Sequence, residues 1–227
     1  QTAALNVVNI EEIIASIDNQ DNHILMGASD VAYRWKIIGQ NSGVIETADD
    51  PLFETTVEFV NFSDLRGGAN SDRFDVQGVI SKSIDGGSGI DLVDYSQRKE
   101  HFTIILGGIG GFGNTGINSI EGVIGNNASG TGFTSTIQIN SGDNTWEIGA
   151  SSSFGDGIND GSVIVNNNKV TFENFTNLVG GSGSDVFMYI ENGQWIGNID
   201  GGGGSNTINT AASTKAHQFV VNGSALN

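Results

Sequence analysis

The sequence predicts an all-β fold, specifically a parallel β-helix (β-solenoid) of about ten coils built from two tandem repeats. Three observations predict it. The 227 residues hold 34 Gly but 1 Pro and no Cys, with the Gly scattered among Asn, Ser, Thr, Val and Ile. That mixture suits tight turns joining short strands. Long segments recur in order about 110 residues apart, and glycine pairs recur at one shorter, nearly constant spacing inside each copy.

The repeat rests on four anchors. "VEFVNFSDLRGGANSDRF" (Val57 to Phe74) matches "VTFENFTNLVGGSGSDVF" (Val170 to Phe187) without a gap. "IDGGSGID" from Ile84 matches "IDGGGGSN" from Ile199, and "WKIIG" from Trp35 matches "WEIG" from Trp146. "NIEEIIAS" from Asn9 resembles "SIEGVIGN" from Ser119. Residues 1–110 are therefore expected to form repeat unit 1, and 111–227 repeat unit 2 of the same continuous solenoid. Their join falls near "GGIGGFGNTG" (Gly107 to Gly116).

Strands are expected at Ile10–Ile14, Trp35–Ile38, Val57–Phe62 and Phe102–Leu106. Alternation at Thr136–Ile139 and Val163–Val165 marks half-buried strands. "NIEEIIASI" (Asn9 to Ile17) has some helical character, but its repeat partner contains Gly122 and Gly125, so both copies are read as strands. A coil of roughly 20 to 24 residues buries its apolar face only by stacking on its neighbours. Asn61 and Asn174 are expected at corners, stacked into amide ladders. A pair of β-sandwiches is the rival fold, but it expects corners about every 8 to 12 residues.

The charge balance is 9 Lys+Arg against 26 Asp+Glu, a net charge of −17. Such a chain repels nucleic acid and anionic membrane. No apolar run reaches the roughly 18 residues of a membrane helix, so no membrane insertion is expected. Without cysteine there are no disulfides, thiolate nucleophiles or zinc–cysteine sites. The chain has no initiator Met or signal peptide, so export signals are expected to lie outside it.

The glycine corners carry the only chemistry with a defined spacing. Gly180-Gly181-Ser182-Gly183-Ser184-Asp185-Val186-Phe187 fits G-G-x-G-x-D-x-U, a calcium-binding nonapeptide. Glycine at positive φ can turn carbonyls toward one point, and Asp adds a hard anionic oxygen for an ion that takes about six to eight of them. One corner supplies half a cage, so corners stacked one coil apart must pair. The metal candidates are therefore Asp72 with Asp91, and Asp185 with Asn206, for Ca²⁺. Asn70 replaces a glycine in the first corner and is expected to tolerate the left-handed conformation. Asn206 replaces an acid in the last, which weakens the second pair.

These units resemble the recurring "F-x-N-F-x-N-L-x-G-G-x-G-x-D-x-F … I-D-G-G-x-G-x-D-x-x-D-Y-S" repeats of very large bacterial surface exoproteins, the filamentous-haemagglutinin-like, RTX-like and haemolysin-related adhesins. The resemblance covers nearly the whole chain and departs from the pattern at Asn70, Asn206 and Thr210. It implies a secreted or cell-surface location and a repetitive β-solenoid with calcium-dependent or calcium-like corners. The expected function is a non-enzymatic, Ca-stabilised stalk or adhesive module of an adhesin-like protein. Its partners would be surface glycans or proteins, and the flanking repeats of the parent protein.

The alternative is a polysaccharide lyase or epimerase, or its carbohydrate-targeting module. That chemistry needs a cationic groove for uronate carboxylates and a base for the C5 proton. Only Arg98-Lys99-Glu100-His101 clusters base and acid, and it reads as a solvated corner. His101 and His217 occupy similar repeat positions, which favours a shared structural role over catalysis. Trp35, Trp146 and Trp195 offer sugar-stacking platforms, though correspondence of the first two favours packing. "GIGGFG" (Gly108 to Gly113) matches a phosphate loop, yet no helix follows to present its N-terminus. No catalytic residue is expected.

Overall fold

The computed structural model describes residues 12–16, 23–48, 56–106, 116–126, 132–149, 158–165 and 167–221. The join at Gly107–Gly116 lies outside them except for Gly116, as does the GIGGFG loop. So do Asn9–Glu11 and Ile17 of the first anchor.

The chain is all-β, with no helix among the described residues, and its strands form two sheets. The first half contributes β1 (Glu12–Ile14), β2 (Ile24–Met26), β3 (Tyr33–Gly39), β4 (Ser42–Thr47), β5 (Thr56–Val60), β6 (Asp64–Gly68), β7 (Arg73–Val76), β8 (Ser83–Gly87), β9 (Leu92–Asp94) and β10 (Phe102–Leu106). The second half contributes β11 (Gly116–Asn118), β12 (Gly122–Ile124), β13 (Ser135–Ile139), β14 (Thr145–Ile148), β15 (Gly161–Val165), β16 (Asn168–Glu173), β17 (Asn177–Val179), β18 (Val186–Glu191), β19 (Asn198–Asp200) and β20 (Thr207–Ser213).

The twelve-stranded sheet runs β1-β5-β4-β3-β7-β9-β12-β16-β15-β14-β18-β20, which is one six-strand order used twice. The eight-stranded sheet runs β19-β17-β13-β10-β11-β8-β6-β2. Apart from hairpins and the β10–β11 step, the chain passes from one sheet to the other at each connection. Successive passes lie side by side in parallel register. Leu65 is opposite Ile84 and Phe74 opposite Val93, one and the same offset on both sheets. Leu178 is opposite Ile199 and Phe187 opposite Ile208, again with a shared offset.

Apolar residues at matched register make continuous columns, which is how strands too short to be stable alone become stable together. Trp35, Phe74, Val93, Val123 and Phe172 follow one another across the first sheet, all essentially inaccessible. The copies pack alike. Trp35 stacks on Phe74 with ring centroids 5.5 Å apart, and Trp146 stacks on Phe187 at 5.5 Å. Each indole also takes a T-shaped contact, from Phe59 at 6.2 Å and Phe172 at 6.0 Å. Trp35 and Trp146 are thus core residues, and Trp195 is half-buried edge-on to Phe172.

Two expectations need correction. The single coil period read from the glycine pairs does not run through the chain, so neither does the count of ten even coils. β2 pairs with β6, β13 with β17 and β9 with β12, and each of these partners lies further along the chain than one such coil. The longer spacings of β2–β6 and β13–β17 come from antiparallel meanders, β3-β4-β5 and β14-β15-β16, that widen the first sheet within each copy. Asn41 at φ 52° lies at the β3–β4 turn, and Asn167 at φ 66° lies at the β15–β16 turn, a left-handed conformation that Asn tolerates.

The second correction concerns the asparagine ladders. Asn61 and Asn174 do occupy corners, at φ 68° and 57°. Asn61, however, gives its amide to the Ala15 carbonyl at 3.0 Å. The amide-to-amide contact sits instead at Asn198, which donates to Asn177 Oδ1 at 3.0 Å.

The corner between β6 and β7 keeps one length wherever its glycine pair recurs, while the corners stacked on it at β2–β3 (Leu25 to Trp35) and β11–β12 (Ile117 to Val123) span ten and six residues. Leu65 to Phe74, Ile84 to Val93, Leu178 to Phe187 and Ile199 to Ile208 each span nine residues. The return path varies: Phe74 to Ile84 spans ten residues and Phe187 to Ile199 spans twelve.

Candidate functional site

Each corner of the G-G-x-x-x-D type places its acid, or Asn206, five residues after its first glycine. The side chain folds back beneath the turn. A Cβ on Gly67 would overlap the Gly86 carbonyl oxygen and Asp72 Oδ2, and one on Gly180 would overlap the Gly201 carbonyl and sit 2.5 Å from Asp185 Oδ2. These glycines are needed for space rather than for positive φ. The left-handed glycines lie in the other two corners, at Gly87 (96°), Gly89 (130°), Gly202 (75°) and Gly204 (70°). Asn70 does not take the left-handed conformation expected of it, so its amide side chain costs no backbone strain there.

The acids stack as the spacing of the glycine pairs requires. The backbone N–H of Tyr33 donates to Asp72 Oδ1 at 2.7 Å, that of Asp72 to Asp91 Oδ1 at 2.6 Å, and that of Asp91 to Glu121 Oε2 at 2.8 Å. In the second copy Asn144 N–H donates to Asp185 Oδ1 at 2.9 Å, and Asp185 N–H to Asn206 Oδ1 at 2.9 Å. Each side chain therefore caps the strand start of the preceding layer. Glu121, Tyr33 and Asn144 belong to these columns although nothing in the glycine motif points to them. The alignment of Ser119–Asn126 with Asn9–Ser16 is the one signal that could have drawn in Glu121.

The second carboxylate oxygen closes the turn in two corners. Gly68 N–H donates to Asp72 Oδ2 at 2.8 Å, and Gly181 N–H to Asp185 Oδ2 at 2.9 Å. Asn144 Nδ2 adds a further bond to Asp185 Oδ1 at 2.8 Å. Asp91 breaks the pattern. Its Oδ2 is buried with no hydrogen-bond partner, because Gly87 N–H turns to Asp85 Oδ1 at 3.3 Å. Asn206 solves the same corner differently: its amide donates to the Gly203 carbonyl at 2.9 Å, and Gly202 N–H takes Asp200 Oδ1 at 2.9 Å.

Burial raises the Asp91 carboxyl to about 6, helped by the charges of Asp72, Glu121 and Asp85 and opposed by the Asp72 N–H. Asp72 is also raised, first by burial, with the N–H groups of Tyr33 and Gly68 pulling the other way. Both shifts follow from placing acids where their charged form loses water.

The side-chain oxygens of the calcium candidates are largely engaged by hydrogen bonds from the backbone. Both oxygens of Asp72 and both of Asp185 already face N–H hydrogens, which point positive charge where a cation would sit. Asn206 directs its NH₂ group into the corner. Asp91 Oδ2 is the remaining carboxylate oxygen of the four candidates without a hydrogen-bond partner. Among the described residues no group of three His, Cys, Asp or Glu is placed to hold a metal.

Of the cationic cluster, Lys99, Glu100 and His101 are exposed as a solvated corner requires, whereas Arg98 is not. Arg98 is 3% exposed, lies over the Phe102 ring, and donates to the Gly78 carbonyl and to Glu100 at 2.6 Å. Arg34 and Arg73 both bind Asp75, at 2.5 and 2.7 Å, and Arg73 also pairs with Asp94. His101 meets the Thr134 hydroxyl at 2.8 Å and accepts its N–H at 3.0 Å, and His217 meets the Ser213 hydroxyl at 2.7 Å.

No known protein family, curated protein or solved structure matches the chain.

Proposed function

We propose that the chain is a parallel β-helix segment of a large secreted or cell-surface bacterial protein, and that it works without catalysis as a stiff stalk or adhesive module. The observation that carries this reading is the hydrogen-bonded column Tyr33–Asp72–Asp91–Glu121, which ties successive layers along the stacking direction. A stalk under load needs such bonds between layers as well as within them. The pairing of Arg34 and Arg73 with Asp75 and Asp94 favours a non-enzymatic role, since it occupies cations that a uronate groove would use.

Two measurements test it. Pulling single molecules from their ends should show high-force, stepwise lengthening by one layer at a time, and a single low-force event would count against a stalk. Incubation with alginate or pectin should release no unsaturated product, and sustained release would establish the lyase alternative.

A second reading, calcium ordering of the stalk, has one observation in its favour: the partnerless Asp91 Oδ2. Binding to the folded state alone would raise the melting temperature with ion concentration. A midpoint unchanged between millimolar Ca²⁺ and chelator removes calcium from the account.

A further inference from the structure

The two ends of the molecule are the two halves of a junction that already exists once inside it. At the internal junction β12, the first strand of the second six-strand set, pairs in parallel with β9, the last strand of the first set. The register sets Gly122 opposite Leu92, Val123 opposite Val93, and Ile124 opposite Asp94. Val93 is 0% and Val123 is 1% exposed as a result.

The counterparts of these strands stand at the outer edges. β1 holds the place of β12, since each pairs in parallel with the last strand of its own meander, β5 or β16. β20 holds the place of β9, since it follows β18 as β9 follows β7. Both are terminal in the sheet. Ile208, the counterpart of buried Val93, is 45% exposed, and Ile13, the counterpart of buried Val123, is only half-buried.

The second sheet repeats the mismatch. β10 follows His101 and pairs along its whole length with β13. Its counterpart, Gln218–Val221 after His217, forms no strand, and Phe219, Val220 and Val221 are 45%, 76% and 82% exposed. The counterpart of β13 is β2, the edge strand at the opposite end, whose Met26 is 61% exposed. Each end thus displays what the other end's counterpart covers.

We propose that β20 of one copy of this chain pairs in parallel with β1 of a second copy, Ile208 opposite Ile13, while Gln218–Val221 adds to β2 of that same copy. The register copies the internal junction and sets Thr207 opposite Glu12 and Asn209 opposite Ile14. The contact is heterologous, so it leaves a free end at each side and builds an open row rather than a closed dimer. It rests on the stacked-layer architecture of the stalk reading, and its test is separate from that of the stalk.

The chain has no cysteine, so placed thiols report the register. One preparation carries Glu12→Cys, another Thr207→Cys, and a third Ala211→Cys, about 13 Å off register at about 3.3 Å per residue. Mixed with a short bis-maleimide, the 12–207 pair should cross-link and the 12–211 pair should not. Sedimentation should show dimers and longer species growing with concentration. Ile208→Lys should weaken association at least about tenfold, by setting a charge opposite Ile13 at the apolar contact. Ile208 is 45% exposed in the single copy, so its variant should keep the wild-type circular dichroism and melting curve. A protein monomeric at every concentration, or cross-linked equally at 12–211, overturns the pairing while leaving the force and lyase tests of the stalk intact.

Discussion

The backbone N–H of Asp72 donates to the carboxylate of Asp91 at 2.6 Å, so the acids of successive corners stand one above the other rather than around a common centre. The lower acid serves the upper corner's backbone. Its own second oxygen is buried and unpaired.

Asp91→Asn should therefore be tolerated, as Asn206 is at the equivalent place. The amide oxygen keeps the bond from Asp72, and the penalty of a buried unpaired charged oxygen disappears. Because the folded carboxyl is raised to about 6, above its ordinary value, the wild type gains stability as pH falls through about 6 and stops gaining once the ordinary carboxylate range is passed. Urea melts at several pH values should show that gain shrink in the variant. At pH 7.5 the variant should be more stable by roughly 1 kcal/mol. A variant less stable at pH 7.5 would mean that the Asp91 charge is used.

Asp185→Ala should behave in the opposite way. It removes the acceptor of three bonds, from Asn144 N, Asn144 Nδ2 and Gly181 N, in a site that is 0% exposed. Leaving buried donors unsatisfied costs about 1–3 kcal/mol each. Chemical denaturation should register a loss of about 3 kcal/mol, and a loss under about 1 kcal/mol would mean water replaces the carboxylate.

Gly180→Ala tests the claim that the first glycine makes room for the acid. The added methyl would overlap the Gly201 carbonyl and crowd Asp185 Oδ2. A cost of about 2 kcal/mol is expected from overpacking, falling when combined with Asp185→Ala because the obstruction is partly removed. Strict additivity of the two changes would show that they do not share the space.

Trp35→Ala and Trp146→Ala should cost about the same, roughly 4 kcal/mol each, since each ring stacks at 5.5 Å on one phenylalanine and takes another edge-on. Tryptophan fluorescence-monitored unfolding of the two single variants measures both. A difference of several kcal/mol would mean that the copies differ in stability despite their common packing.

The stacked corners were legible because Leu65–Phe74 and Leu178–Phe187 repeat both their glycines and their apolar ends. Spacing alone put Asp72 beside Asp91 and Asp185 beside Asn206. The meanders were not, because alternating residues such as Val163–Val165 read identically in parallel and antiparallel pairs. Only the turn residues Asn41 and Asn167 distinguish them. The orientation of the acids was hidden for a different reason. G-G-x-G-x-D has the same letters whether the carboxylate meets a cation or the N–H of its own turn. At Asp185 the decision falls to Asn144, which precedes the whole β14-β15-β16 meander and so stands outside any local motif. Arg98 was misread because a charged run looks solvated until the carbonyl of Gly78 and the ring of Phe102 are seen beneath it.

The four glycine-pair corners keep one length while the return paths between them differ. Nine residues are invariant from Leu65 to Phe74 and in its three counterparts, while the opposite stretch holds ten in one copy and twelve in the other. Two extra residues between Phe187 and Ile199 leave the parallel register of β17 with β19 undisturbed. A lineage varying this scaffold, or an engineer grafting a peptide onto it, therefore has in the return path from β18 to β19 a stretch that accepts new length. Foreign sequence placed there would leave the stacked glycine corners and their hydrogen bonds untouched.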